Sequence, residues 1–90
     1  MIAVFAVPSW TLSENLDRYA SSLSRDASVV SAIKGLEPES GMRMSELITA
    51  AGIDQSRLLA LSGPNFATEI VRGLPAATVV AGEESRARRL

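Results

Sequence analysis

Two short segments carry the residues best suited to chemistry. In VVSAIKGLEP, Val29 to Pro38, the pair Lys34-Gly35 follows directly on an apolar run. In LSGPNFATEIVRGLPAATVVAG, Leu61 to Gly82, the turn Ser62-Gly63-Pro64-Asn65 falls where a second apolar run gives way to a helical pattern. A lysine ammonium is a charged donor that can stabilise charge developing on a reacting oxygen. Glycine gives the backbone freedom at a turn, and asparagine both donates and accepts hydrogen bonds. Backbone N–H groups at a helix start are also free to face a ligand. In open α/β sheets, ligands bind in the crevice outside the carboxyl ends of the strands. Two such turns, one with a lone lysine and one with a polar Gly-Pro-Asn sequence, therefore predict one shared site.

The elements that must position them alternate. IAVFAV (Ile2 to Val7), ASVVSAI (Ala27 to Ile33), LLALS (Leu58 to Ser62) and AATVVA (Ala76 to Ala81) are continuous apolar runs. Such runs suit strands buried on both faces, as in parallel sheets. Helical stripes lie between them. Leu12, Leu16, Tyr19, Ala20 and Leu23 form the first, with Thr11 and Glu14 spaced as a capping box. Met44, Leu47, Ile48 and Ala51 form the second, closed by Gly52. Ala67, Ile70, Val71 and Leu74 form the third, broken by Gly73 and Pro75. Glu83 and Glu84 open a fourth, with Arg86, Arg88 and Arg89 toward its end, as the helix dipole prefers. The order β-α-β-α-β-α-β-α predicts an α/β fold with a mainly parallel sheet. The last strand suits an edge position and either direction.

Composition removes several classes of function. The chain has 90 residues, room for one small domain, and a net charge of −1. That charge does not suggest a nucleic-acid partner. There is no Cys and no His, which removes disulfides, thiolate metal sites and the commonest general base. With no carboxylate cluster at ligand spacing, no metal is expected. The first apolar run is too short to span a bilayer and lacks a basic leader, so the default expectation is a cytoplasmic protein without a membrane partner.

The motifs KGLEP, RMSE (Arg43 to Glu46), LSGPNFA and GLPAATVVA, with VPS at Val7 to Ser9, occur in this order along nearly the whole chain. In this the chain resembles the NAD(P)-dependent glycerol-3-phosphate dehydrogenases of bacteria. The resemblance implies the second half of a Rossmann-type, doubly wound, mainly parallel sheet with flanking helices. It also implies reversible hydride transfer between NAD or NADP and glycerol 3-phosphate or dihydroxyacetone phosphate, in phospholipid synthesis. By resemblance, Lys34 lies against both substrate and nicotinamide and acts in catalysis. Gly63 and Asn65 touch the glycerol phosphate, and Ala67 touches the cofactor. Pro8 and Ser9 end the first strand beside it. The family often has Ser or Thr where Asn65 stands.

The pattern also departs from the family. Such an enzyme should open with a G-x-G-x-x-G turn. Here glycines stand at 35, 41, 52, 63, 73 and 82, and no two are two residues apart. The Gly-rich first half and the helical substrate domain are both missing. The chain therefore reads as residues 1–90 of an internal piece of a longer enzyme, inactive alone and prone to self-associate through an exposed sheet edge. The acidic or basic residue that would choose between NAD and NADP belongs to the missing half.

Each residue has a plainer reading as well. Lys34 is also a surface lysine in a turn. Gly63, Pro64 and Asn65 also form a helix start, with Asn65 as the cap. Pro8 and Ser9 also simply terminate a strand. Trp10 is expected to pack on a neighbouring helix, and Met42 and Met44 to fill core gaps. Glu37, Glu39, Glu46 and Glu69 are expected to be solvated. Two other functions stay open: a different two-domain hydroxy-acid dehydrogenase, and a non-catalytic α/β binding module.

Overall fold

The strand β2 (Ser28–Ser31) is buried along its whole length, and the other strands are arranged around it. The computed structural model describes residues 1–90. It places β1 (Ile2–Phe5) and β3 (Leu58–Ser62) on either side of β2, both parallel to it. β4 (Val79–Gly82) pairs with the outer side of β3 and runs antiparallel, giving the order β1-β2-β3-β4. With helices between and after the strands, the fold is α/β with a mixed, mostly parallel sheet.

Register explains which residues make the core. Ala3, Val29 and Leu58 stand side by side, and so do Val4, Val30 and Leu59. Neighbours in a strand face opposite ways, so the two rows belong to opposite faces of the sheet. Helix α1 (Leu12–Tyr19) and helix α2 (Met44–Ala50) cover the face of the first row. There Leu12 and Leu16 meet Met44 and Ile48 over Phe5, Val29 and Leu58. The predicted stripes on these two helices thus hold, except that Tyr19 and Ala51 are exposed. The second face has less cover. Arg86 of the short α4 (Glu84–Ala87) reaches across it to bond Ser28 Oγ at 3.0 Å and the Asp26 carbonyl at 3.2 Å.

The expectation of strands buried on both faces is correct for β2 alone. β1 and β4 are edges, and Val4 stays 59% exposed on the less covered face. The strands are also shorter than their apolar runs. Val7 and Pro8 lie beyond the paired part of β1, and Ala76 to Thr78 precede β4 as a connecting strap.

The reversal at β4 has a local cause. The helix after β3, α3 (Ala67–Val71), has five residues. At about 1.5 Å rise per residue it is far too short to carry the chain back along the sheet. Gly73, at φ +75°, ends it, and Pro75 prevents its resumption. The chain therefore re-enters the sheet from the edge it has just left. The predicted stripe of α3 forms, but it meets no core: Ile70, Val71 and Leu74 are all exposed.

Capping departs from the predicted pattern. Thr11 is at the start of α1, but a 3₁₀ turn over Ser9–Thr11 precedes it. Its hydroxyl therefore donates back to the Pro8 carbonyl at 2.8 Å, and Glu14 pairs with Arg18 instead of closing a box. At α2, Glu46 accepts from the Arg43 backbone N–H at 2.8 Å and from its guanidinium at 3.1 Å. Glu37 accepts from the Ser40 N–H and hydroxyl, each at 2.6 Å, and so closes the loop that follows Lys34. Glu46 and Glu37 are thus structural acceptors and not merely solvated. Trp10 is 72% exposed and packs on no helix, whereas Met44 is buried as expected.

Two outcomes follow from this packing. Ile48 is fully buried, so Ile48→Ala should lower unfolding free energy by about 2–5 kcal/mol in urea titrations. Val71→Ala, at a side 87% exposed, should stay within about 0.5 kcal/mol. The hydrogen bonds from Ser40 lower the pKa of Glu37, and those from Arg43 lower that of Glu46. A carboxyl lowered on folding stabilises the fold above its ordinary value, and that contribution is lost as pH falls through the lowered one. The urea midpoint should therefore be level from neutral pH down to the ordinary value of 4.5 and decline below it. Glu37→Gln and Glu46→Gln should each flatten that decline.

Candidate functional site

Three parallel strands deliver their carboxyl ends to one edge of the sheet. Pro8 and Ser9 follow β1 there, Lys34 follows β2, and Gly63 follows β3. The antiparallel β4 begins at the same edge, which brings in Thr78 just before it. Sequence reasoning placed the first four of these and did not find Thr78. Its only signal was a polar residue inside the apolar run AATVVA.

The two turns meet. Lys34 Nζ donates to the Gly63 carbonyl at 2.9 Å, across 29 positions of sequence. The same carbonyl accepts from the Asn65 backbone N–H at 2.8 Å, around Pro64. Lys34 is exposed, and an ammonium has three protons, so the bond to Gly63 leaves others to face a ligand. The Asn65 side chain turns the other way. Its Nδ2 donates to Thr78 Oγ1 at 3.0 Å.

Gly63 has a reason to be glycine other than backbone freedom. A Cβ there would stand 2.3 Å from the Ala77 carbonyl oxygen and 3.1 Å from the Thr78 Cα. The strap before β4 thus lies directly on the turn after β3. Asn65 does not cap α3. Phe66 holds that position with no side-chain cap, and Pro64 stands before the helix and not in its first turn. Ala67 opens α3 and is exposed. No side-chain hydrogen bond joins Pro8, Ser9 or Ala67 to Lys34. They share its edge of the sheet only.

The arrangement can do a definite kind of chemistry. It offers one exposed cation, one hydrogen-bonded carboxamide and closely packed backbone at a sheet edge. It holds no group of three or more Asp, Glu, His or Cys able to bind a metal ion. No helix is long and apolar enough to cross a membrane. An open cleft lies elsewhere, between α2 and β4, lined by Arg43, Glu46, Thr49, Gln55 and Ala81 among others. It contains none of the residues at the strand-end site, and we assign it no role.

Comparison with known proteins bears on the family of the chain. Residues 1–88 match the family described as the N-terminus of NAD-dependent glycerol-3-phosphate dehydrogenase. The glycerol-3-phosphate dehydrogenase [NAD(P)+] of Corynebacterium urealyticum is 43% identical over 89 residues, which cover 98% of this chain and 27% of the relative. That of Corynebacterium jeikeium is 48% identical over 81 residues, 89% of this chain and 24% of the relative. The chain thus spans about a quarter of the length of the curated relatives it matches. Among solved structures, the glycerol-3-phosphate dehydrogenase of Coxiella burnetii superposes with a TM-score of 0.72 at 21% identity, over 98% of this chain and 26% of that one. DsGPDH of Dunaliella salina gives 0.76 at 21% identity, over 96% and 15%. At that identity the two structures speak for the fold alone, a mostly parallel α/β sheet with flanking helices that is consistent with part of a Rossmann-type domain. The family match over nearly every residue goes further: this chain belongs to the NAD-dependent glycerol-3-phosphate dehydrogenase N-terminal family.

Proposed function

We propose that residues 1–90 form the second half of a dinucleotide-binding domain, the half beside the nicotinamide end of NAD or NADP. Its reaction is hydride transfer between that cofactor and glycerol 3-phosphate or dihydroxyacetone phosphate. The observation that carries this reading is the bond from Lys34 to the Gly63 carbonyl at 2.9 Å. It joins two strand-end turns, each of which carries residues expected to touch substrate.

The donor set fits the reacting end of the cofactor and the substrate. It does not include a cradle for the pyrophosphate, since no two glycines have the required spacing. Bound NAD(P) supplies the hydride acceptor for the alcohol and the donor for the ketone. The chain's own residues do the rest. Lys34, steered by Gly63, points a charged N–H at the reacting oxygen and stabilises charge building there. Gly63 and Asn65 hold the glycerol phosphate. Pro8, Ser9 and Ala67 border the cofactor with backbone. Lys34 serves as donor and is not assigned the transfer of the alcohol proton.

The test is a chimera. Residues 1–89 replace the matching segment of the Corynebacterium glutamicum relative, which is 46% identical over 89 residues. The chimera should oxidise glycerol 3-phosphate with NAD or NADP. Lys34→Ala should lower kcat/KM by about two to three powers of ten. Lys34→Arg should restore it only in part, because a planar fork does not place one donor where an ammonium does. Asn65→Ala should act mainly on KM, with a smaller loss. Glu39→Ala, in the exposed part of the loop, should match the parent chimera. Equal kinetics for Lys34→Ala and Glu39→Ala would sink the assignment.

We also infer that the 90-residue chain self-associates through β1. That strand is an uncharged edge, with Ile2 and Val4 exposed. Sedimentation velocity should give a weight-average mass that rises with concentration, and Val4→Lys should return it toward monomer. A single monomeric species at every concentration would exclude this.

A further inference from the structure

We infer that Thr78 is a positioning residue for substrate recognition, acting through Asn65. This rests on the reading of Asn65 as a substrate contact and adds a partner that fixes how that contact is presented. A carboxamide has two faces of nearly equal shape, one accepting and one donating. An unheld Asn65 would present either of them to the sheet edge. Thr78 anchors the carboxamide across the turn, and the shorter contact is the one in which its hydroxyl accepts. Asn65 Nδ2 donates to Thr78 Oγ1 at 3.0 Å, whereas the reverse contact, from the hydroxyl to Asn65 Oδ1, is longer at 3.4 Å.

The bond is not local turn chemistry, since 13 positions separate the two residues. It is held in place by the strap itself. The residue before Thr78 packs its carbonyl on Gly63, too close for a Cβ to intervene. Thr78 is in turn fixed by β4, which starts at the next residue. The strap therefore sets Gly63 and Asn65 together, and Lys34 joins them through the Gly63 carbonyl.

A chemical consequence follows for the ligand. With one amide proton committed to Thr78, Asn65 retains its Oδ1 acceptor and a second N–H. An alcohol hydroxyl, which donates and accepts, satisfies both. A phosphate oxygen only accepts, so it meets the second N–H and leaves Oδ1 without a donor. A hydroxyl of glycerol 3-phosphate thus satisfies the remaining groups of Asn65 more fully than its phosphate does.

Two measurements test this. In the chimera, Thr78→Val keeps the shape and removes the acceptor. KM for glycerol 3-phosphate should rise about threefold to tenfold, the size of one hydrogen bond, with kcat little changed. Thr78→Ser should restore KM to within about twofold of the parent, since it returns the same acceptor. The double variant Asn65→Ala with Thr78→Val should be no worse than Asn65→Ala alone. If Asn65→Ala raises KM and Thr78→Val does not, or if the two losses add, the positioning role fails and the reading of Asn65 stands. If Asn65→Ala leaves KM unchanged, the reading of Asn65 fails first. In the 90-residue chain, the Asn65 side-chain amide protons should resonate apart from free carboxamides in a ¹⁵N-correlated NMR spectrum. Thr78→Val should move them to the free position and Thr78→Ser should not. Amide signals indifferent to Thr78→Val would overturn the inference without reference to activity.

Discussion

Val29 and Val30 point to opposite faces of β2, and both are almost wholly buried. A slip of one residue would exchange the two faces and set each against the wrong partners. The register of β2 therefore governs β1 and β3, which take their alignment from it. Because both are parallel to β2, all three strands end at one edge. The two turns meet there because of that alignment: Lys34 and Gly63 are neighbours in space only while β2 and β3 keep their offset.

Much of this was legible in the residues. Four apolar runs predicted four strands, and the stripes of α1 and α2 predicted the core, because burial over a sheet leaves a strong periodic mark. Gly52 and Gly73 predicted helix ends, and both adopt the positive φ that the motif uses. The meeting of the Lys34 and Gly63 turns was predicted from sheet topology. Thr78 was not. Its partner is set by where a strap crosses a turn, and no spacing rule encodes that contact. The Thr11–Glu14 pair failed for a related reason: the spacing was right, but a 3₁₀ turn ahead of it supplied Thr11 with a nearer acceptor. The cap of α3 failed because the helix starts later than the turn suggested, with Phe66 and not Asn65 at its N-cap.

The carboxylates divide between scaffold and solvent. Glu37 and Glu46 hold the loop and the helix that follow Lys34, although both stand in water. Asp54 and Glu83 do similar work at the start of their own turns, accepting from Ser56 and Ser85. The pKa of each is lowered, first of all by those serine side chains. None of the four lies at the strand-end site.

The antiparallel entry of β4 has a thermodynamic consequence. The excursion through α3 leaves the sheet at Ser62 and rejoins it at Val79, and these two residues pair directly. Closing a flexible loop carries an entropic penalty, and here the β3–β4 ladder and the Asn65–Thr78 bond meet it during folding. A ligand arriving at this edge finds the polar groups of the turn already immobilised. Free energy of contact at such a turn goes into affinity instead of ordering a loop, which is the advantage of preorganisation.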